Sequence, residues 1–259
     1  MKNLRIFYIL ILFIILSACL GCKKKPSNHN AAQRQINPTH NHRYQSSCVF
    51  CNIYLGKAPS QIFFQNNLIT AFRDTNPQPI VHTLVIPNDH IINLADIADK
   101  NKVLLGNMLV EIVKLGSNQC PNGFRVITNT GKGAHQTIFH LHFHILGGRD
   151  VGVFPEVPIL DTTNPLYTDT DIIAYNCLNS KYSPHIIISL ALAKKMDIHL
   201  WGKILEKIKH YGHTDFGNNY RTIINFGENA HQEDSQNLYI HIIGTKGAEI
   251  PLFAFSEPH

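Results

Sequence analysis

The chain has 259 residues, of which 44% are hydrophobic and 16% charged, a balance that excludes a disordered polymer and leaves room for a substantial core. The net charge is +5, and Lys23, Lys24 and Lys25 stand together in one run, so charge gives little reason to expect a nucleic-acid partner. Six cysteines, two of them near the start and two in a C-x-x-C pair, do not make a disulfide framework.

Residues 1–22 carry a basic start (Lys2, Arg5), an apolar run from Ile6 to Leu16, and then Leu16-Ser17-Ala18-Cys19. The run is short for a membrane span but suits a signal peptide, and Leu-Ser-Ala-Cys resembles a bacterial lipobox. The expectation is a lipoprotein signal with Cys19 as the lipidated residue; Cys22 fits the lipobox less well. The rival is an uncleaved anchor extending to Gly21. The three lysines that follow resist translocation under either reading. Residues 23–45 are polar, include His29, His40 and His42, and read as a flexible tether.

From Cys48 onward the pattern is that of an α+β domain. Ile62–Phe64 and Leu68–Phe72 are short β-type runs joined at Asn66-Asn67, and His82–Ile86 is a strand stopped by Pro87. Residues 99–115 repeat apolar positions at helical spacing and stop at Gly116. Phe124–Thr128 and the alternating Phe139–Leu146 complete a five-stranded antiparallel sheet. The second half repeats this order. Ala71-Phe72 is matched by Ala174-Tyr175, His82 by His185, and Leu115-Gly116 by Tyr211-Gly212. Phe124-Arg125 is matched by Tyr220-Arg221, Ala134-His135-Gln136 by Ala230-His231-Gln232, and His144 by His241. An internal duplication follows, with residues 46–150 as one repeat, 151–259 as the other, and the connection near 150–165.

Chemistry concentrates at His140-Leu141-His142-Phe143-His144. In a strand these three imidazoles share one face, while Leu141, Phe143 and Ile145 turn to the other. Three buried imidazoles side by side need a ligand, a metal or one another. His-apolar-His-apolar-His-apolar-apolar over His140–Leu146 resembles the signature of the histidine-triad (HIT) superfamily. The tail Leu146-Gly147-Gly148-Arg149 is similar to its Hint branch. The resemblance covers Cys48 to Arg149, including Ala71-Phe72-Arg73-Asp74, the strand His82–Pro87, His90-Ile91 and the loop Asn129–Thr137.

What the resemblance implies is a HIT-like fold and nucleophilic catalysis on a nucleotide conjugate. His142 is implied as the nucleophile at the α-phosphorus, forming a nucleotidyl-histidine that water hydrolyses to a nucleoside monophosphate. His144 would bond a phosphate oxygen and His82 would orient the site. Asp74 matches the ribose-binding position. Phe72 would lie near the base of a purine nucleotide, and Asn129, Gln136 and Thr137 near the phosphate or leaving group. Relatives that transfer the nucleotidyl group carry glutamine at the third histidine, so His144 implies hydrolysis, with phosphoramidates as the substrate class. A nucleotide sensor with little turnover is the alternative. His135 departs from the family pattern, where a glycine is usual before the glutamine.

Cys48 and Cys51 have the spacing that lets two thiolates bind one metal, though such a pair alone is equally a redox pair or chance. The resemblance implies that His90 and His140 complete a structural Cys2His2 zinc site. In the second repeat no C-x-x-C occurs, Asn237 replaces His140 and Tyr239 replaces His142. That repeat is therefore expected to be degenerate, and the two repeats to form an intrachain pseudodimer with one working site. His185 and His241 are then residual packing residues. The leader places the chain at a membrane, as a periplasmic-side lipoprotein or as a cytoplasm-facing anchor, the latter keeping thiols reduced.

Overall fold

The computed structural model describes residues 43–246 apart from 78, 79 and 233, with nothing stated for the side chains of residues 245 and 246. The leader, Cys19, Cys22 and nearly all of the tether lie outside the described residues. Among the described residues no helix is long and apolar enough to cross a membrane.

Among the described residues ten strands form one antiparallel sheet in the order β1-β2-β3-β5-β4-β9-β10-β8-β7-β6. In the first half these are β1 (Ile62–Gln65), β2 (Ile69–Arg73), β3 (Val81–Pro87), β4 (Phe124–Thr130) and β5 (Phe143–Gly147). In the second half they are β6 (Tyr167–Thr168), β7 (Ile172–Asn176), β8 (Ser183–Ala191), β9 (Tyr220–Phe226) and β10 (Asn237–Lys246). Each half thus has five strands in the same spatial order, and they join where β4 pairs with β9. That junction is symmetric: Arg125 opposes Asn225, and Asn129 opposes Arg221. The histidine pairs keep register as well, His82 opposing Leu146 in one half and His185 opposing Ile243 in the other.

Three α-helices are described: α1 (Val49–Tyr54), α2 (Lys102–Gln119) and α3 (Ile198–Thr214). Asp197 caps α3 by accepting from the backbone amides of His199 and Leu200. Helices α2 and α3 pack on each other and cover one face of the sheet. Met108, Ile112, Trp201 and Ile204 meet Val126, Phe143, Ile145, Ile224 and Ile242 in a single apolar core. The remaining sheet residues, among them His144 and Leu146, alternate to the opposite face. There, α1 and Phe72, Leu84 and Ile86 make a smaller cluster.

Two boundaries differ from the sequence reading. Helix α2 does not stop at Gly116 but continues through Gln119. Gly116 serves close packing instead: a Cβ there would stand 2.3 Å from the ring of Phe124. Gly212 has the same relationship with Tyr220, also at 2.3 Å, in the second half. The last strand of the first half begins at Phe143, not Phe139. Ahead of it the backbone bonds elsewhere, Leu141 N–H donating to the carbonyl of Ile91 and His140 N–H to that of Ile138. The corresponding strand β10 starts at Asn237 and pairs with β8 from its first residue, Asn237 opposing Ala191.

Candidate active site

The break in the ladder before Phe143 gives the three histidines different surroundings. His140 turns toward α1. Its Nδ1 lies 3.5 Å from Sγ of Cys48 and 3.6 Å from Sγ of Cys51, while Nδ1 of His90 lies 3.3 Å from Sγ of Cys51. The four donor atoms all fall within 4.8 Å of one another. Nε2 of His140 stands 3.0 Å from the carbonyl of Pro87, an acceptor only, so Nε2 carries the proton and Nδ1 faces the thiols with a lone pair. Burial pushes the Cys51 thiol up to about 11 in the absence of a cation. Two sulfurs and two imidazole lone pairs converging this closely fit a tetrahedral zinc ion.

His142 and His144 are neighbours with ring centroids 5.1 Å apart. Nδ1–H of His142 donates to the carbonyl of His140 at 2.7 Å, which leaves Nε2 unprotonated. The carbonyl of His142 is in turn held by the hydroxyl of Thr128 at 2.8 Å, and the edge of Phe50 packs against the ring. Burial is the first cause that lowers His142, opposed by its bond to the His140 carbonyl and by Asp74. Burial also holds His144 well below its ordinary value, reinforced by His142, His82 and the buried Arg221. The site is therefore built from neutral imidazoles.

Nδ1 of His144 lies 2.9 Å from Nε2 of His82, on the adjacent β3, and Oδ2 of Asp74 lies 3.5 Å from the same Nε2. Asp74, which the sequence reading assigns to the ribose, is thus within reach of the histidine pair. Its other oxygen accepts from the backbone of Asn76. Phe72 is buried and packs edge-on against Phe50 at 5.5 Å, flooring the site through that ring.

Asn129 sits at the end of β4 with its Oδ1 accepting from Nε of Arg221 at 2.7 Å. A guanidinium only donates, so this bond fixes the amide orientation and leaves Nδ2 as a donor. Gln136, expected to contact substrate, has its side chain bonded within the surrounding loops. Its Oε1 accepts from Gly131 N and Asn93 Nδ2, and its Nε2 donates to the carbonyls of Ile92 and Ile138. Fully engaged and buried, it holds the loop. Thr137 is exposed, with no hydrogen bond to the histidines among the described residues. His135 is exposed and left-handed at φ 63°, the conformation for which glycine is the ordinary choice.

Four contributors escape the sequence reading: Phe50, Thr128, the Pro87 carbonyl and Arg221. The first three act through local geometry that no spacing announces. Arg221 carried a signal in its match to Arg125, since a buried arginine repeated across two halves calls for a partner.

In the second half, His185 Nε2 and His241 Nδ1 lie 3.1 Å apart, repeating the His82–His144 pair. Tyr239 stands in place of His142 and donates its hydroxyl to Oδ2 of Asp234 at 2.7 Å.

Comparison with known proteins gives one picture of the first half. Residues 47–153 match the family model described as scavenger mRNA decapping enzyme C-term binding. The chain is 36% identical over 102 residues to Protein HitA of Neisseria gonorrhoeae, a match spanning 39% of this chain and 95% of that protein. It is 37% identical over 106 residues to the purine nucleoside phosphoramidase of Escherichia coli K12, spanning 40% of this chain and 89% of that enzyme. A solved structure titled as a HIT family hydrolase from Legionella pneumophila Philadelphia 1 is 37% identical, covering 42% of this chain and 97% of its own, with a TM-score of 0.40. With relatives matched over nearly their whole length and the triad His140, His142 and His144 in place, the chain belongs to the histidine-triad (HIT) family of hydrolases.

Proposed function

We propose that the protein hydrolyses nucleoside phosphoramidates or related nucleotidyl conjugates through a nucleotidyl-histidine on His142. One observation carries this reading: Nδ1 of His142 is committed to the His140 carbonyl at 2.7 Å, so Nε2 is left as a lone pair on a neutral, buried imidazole. In the first step Nε2 bonds to the α-phosphorus and the bond from phosphorus to the amine nitrogen breaks, that nitrogen taking a proton from solvent so that it leaves as the neutral amine. In the second step water adds to phosphorus and gives a proton back to solvent, the bond to Nε2 breaks, and nucleoside monophosphate leaves. With the shared proton on Nε2 of His82, His144 accepts it at Nδ1 and keeps Nε2–H to donate to a phosphate oxygen. Nδ2 of Asn129 is the second donor. Asp74 is close enough to steady His82 or to receive a ribose hydroxyl. The purine preference rests on the printed name of the Escherichia coli relative.

Cys48, Cys51, His90 and His140 would hold a zinc ion, which when bound supplies a closed tetrahedral crosslink between α1 and the triad. The equal strand order and register of the two halves support a duplication, with one half active and the other degenerate and structural. Membrane attachment through Cys19 rests on the lipobox resemblance, and loss of lipid labelling in a Cys19→Ala chain tests it.

The test of function is release of a fluorescent amine from its adenosine 5′-phosphoramidate by the full chain and by its His142→Ala variant. Release by the first and its loss in the second supports the hydrolase. Absence of release with tight binding of adenosine monophosphate replaces it with a nucleotide sensor.

A further inference from the structure

The second half holds a cavity of about 350 Å³ at the place where, in the first half, His142 and His144 lie. Tyr239 and His241 on β10, Asp234, and Pro155, Glu156 and Val157 of the connecting segment are among the residues that line it. Its size suits a small ligand.

Three features define what it would accept. First, His241 is buried but its Nε2 has no partner among the described residues, since Nδ1 is the atom that meets His185. His185 in turn meets the hydroxyl of Ser180 at 2.6 Å. With a proton on each Nδ1, the tautomer opposite to the one taken for His82 and His144, this chain runs outward to Ser180 and Nε2 of His241 is an acceptor. Second, Asp234 accepts from the amides of Gln236 and Asn237, from Nδ2 of Asn237 and from Tyr239, yet no cation pairs with it among the described residues. Third, among the described residues no lysine or arginine lines the cavity. Lys181 pairs with Glu156 at 2.9 Å from an exposed position, His231 holds Asp150 at 2.9 Å, and the buried Arg125 stands near enough to His241 to help lower it. Of the two carboxylates that line the cavity, Asp234 is thus the one with no cation beside it among the described residues.

We propose that this cavity binds a small organic ammonium ion. Its N–H groups would donate to Asp234, Glu156 and Nε2 of His241, with the ring of Tyr239 available to the charge and the apolar stem against Pro155 and Val157. The site performs no chemistry, and the proposal stands independently of the nucleotide reading of the first half.

Calorimetric titration of the full chain with benzylamine, benzyl alcohol and phenyl phosphate tests it. Benzylamine binds, benzyl alcohol binds about tenfold more weakly or worse, and phenyl phosphate does not compete. Glu156→Gln and Asp234→Asn each weaken benzylamine by about fivefold, the upper end for a solvent-accessible ion pair. His142→Ala leaves the isotherm unchanged. The proposal is overturned if benzylamine does not bind, if the alcohol binds as well, or if phenyl phosphate competes. Loss of binding in the His142 variant also overturns it, because the amine would then occupy the first-half site. The ligand series on the unaltered chain decides the matter even where a variant folds poorly.

Discussion

Nε of Arg221, on the second half, donates to Oδ1 of Asn129, on the first, over 2.7 Å, and Arg125 makes the reciprocal bond to Asn225 at the same distance. Each half therefore fixes an amide in the other. On the proposed mechanism the fixed amide of the first half is the one whose Nδ2 would meet phosphate, so the second half would take part in the site without carrying a nucleophile. Both partners are buried, and a charge-assisted bond of this kind contributes roughly 1.5–3 kcal/mol. Arg221→Met is expected to lower kcat/KM by roughly tenfold or more, as is Asn129→Ala. The double variant should be little worse than the poorer single, because both remove one interaction. Steady-state kinetics on the four chains read this directly, and additive losses would refute the coupling.

The fold was legible wherever a pattern is local. Asn66-Asn67 marks the first hairpin, the helical repeat from Val103 to Leu115 marks α2, and the paired matches across the halves anticipate two five-stranded units. Legibility failed where a tertiary contact overrides a local cue. Gly116 reads as a helix stop, but its missing side chain admits the Phe124 ring. The triad reads as one continuous strand, yet His140 leaves the ladder to reach Cys48 and Cys51. Arg221 lies 92 residues from Asn129 and becomes its neighbour only when β9 meets β4.

The convergence of Cys48, Cys51, His90 and His140 predicts one zinc ion per chain. Elemental analysis of the purified protein should find it, and Cys51→Ser should lose it. Removing the metal with a chelator leaves buried thiols and imidazoles without their common partner. The thermal midpoint is then expected to fall by about 5 °C or more. An unchanged midpoint in metal-free protein would show that the four residues are not a structural crosslink.

His135 holds a left-handed conformation, φ 63° and ψ 28°, that glycine adopts without steric cost. Its side chain is exposed, so little packing is lost on removal. His135→Gly should stabilise the protein by about 0.5–1 kcal/mol, the relief of backbone strain exceeding the extra freedom that glycine gives the unfolded chain. The corresponding rise in thermal midpoint is roughly 1–4 °C. His231 shares the conformation at φ 56° but bonds Asp150, so the same change there should yield less, and a loss in both would refute the strain argument.

His185 gives the clearest dependence of stability on pH. Burial lowers it to about 4 from an ordinary 6.5, with Glu156 opposing the shift. A histidine depressed in the folded state leaves the unfolded chain binding the proton first. Its contribution is therefore complete above pH 6.5 and is lost as pH falls toward 4. Between pH 7.5 and pH 5 that one group removes about 2 kcal/mol. His241, its partner at 3.1 Å, is depressed in the same direction by burial and by His185 itself, so the two losses act together. Urea unfolding at the two pH values should show the drop, and His185→Gln should reduce it while lowering stability at pH 7.5. An equal drop in the variant would mean that the acid sensitivity arises in the first-half histidines instead.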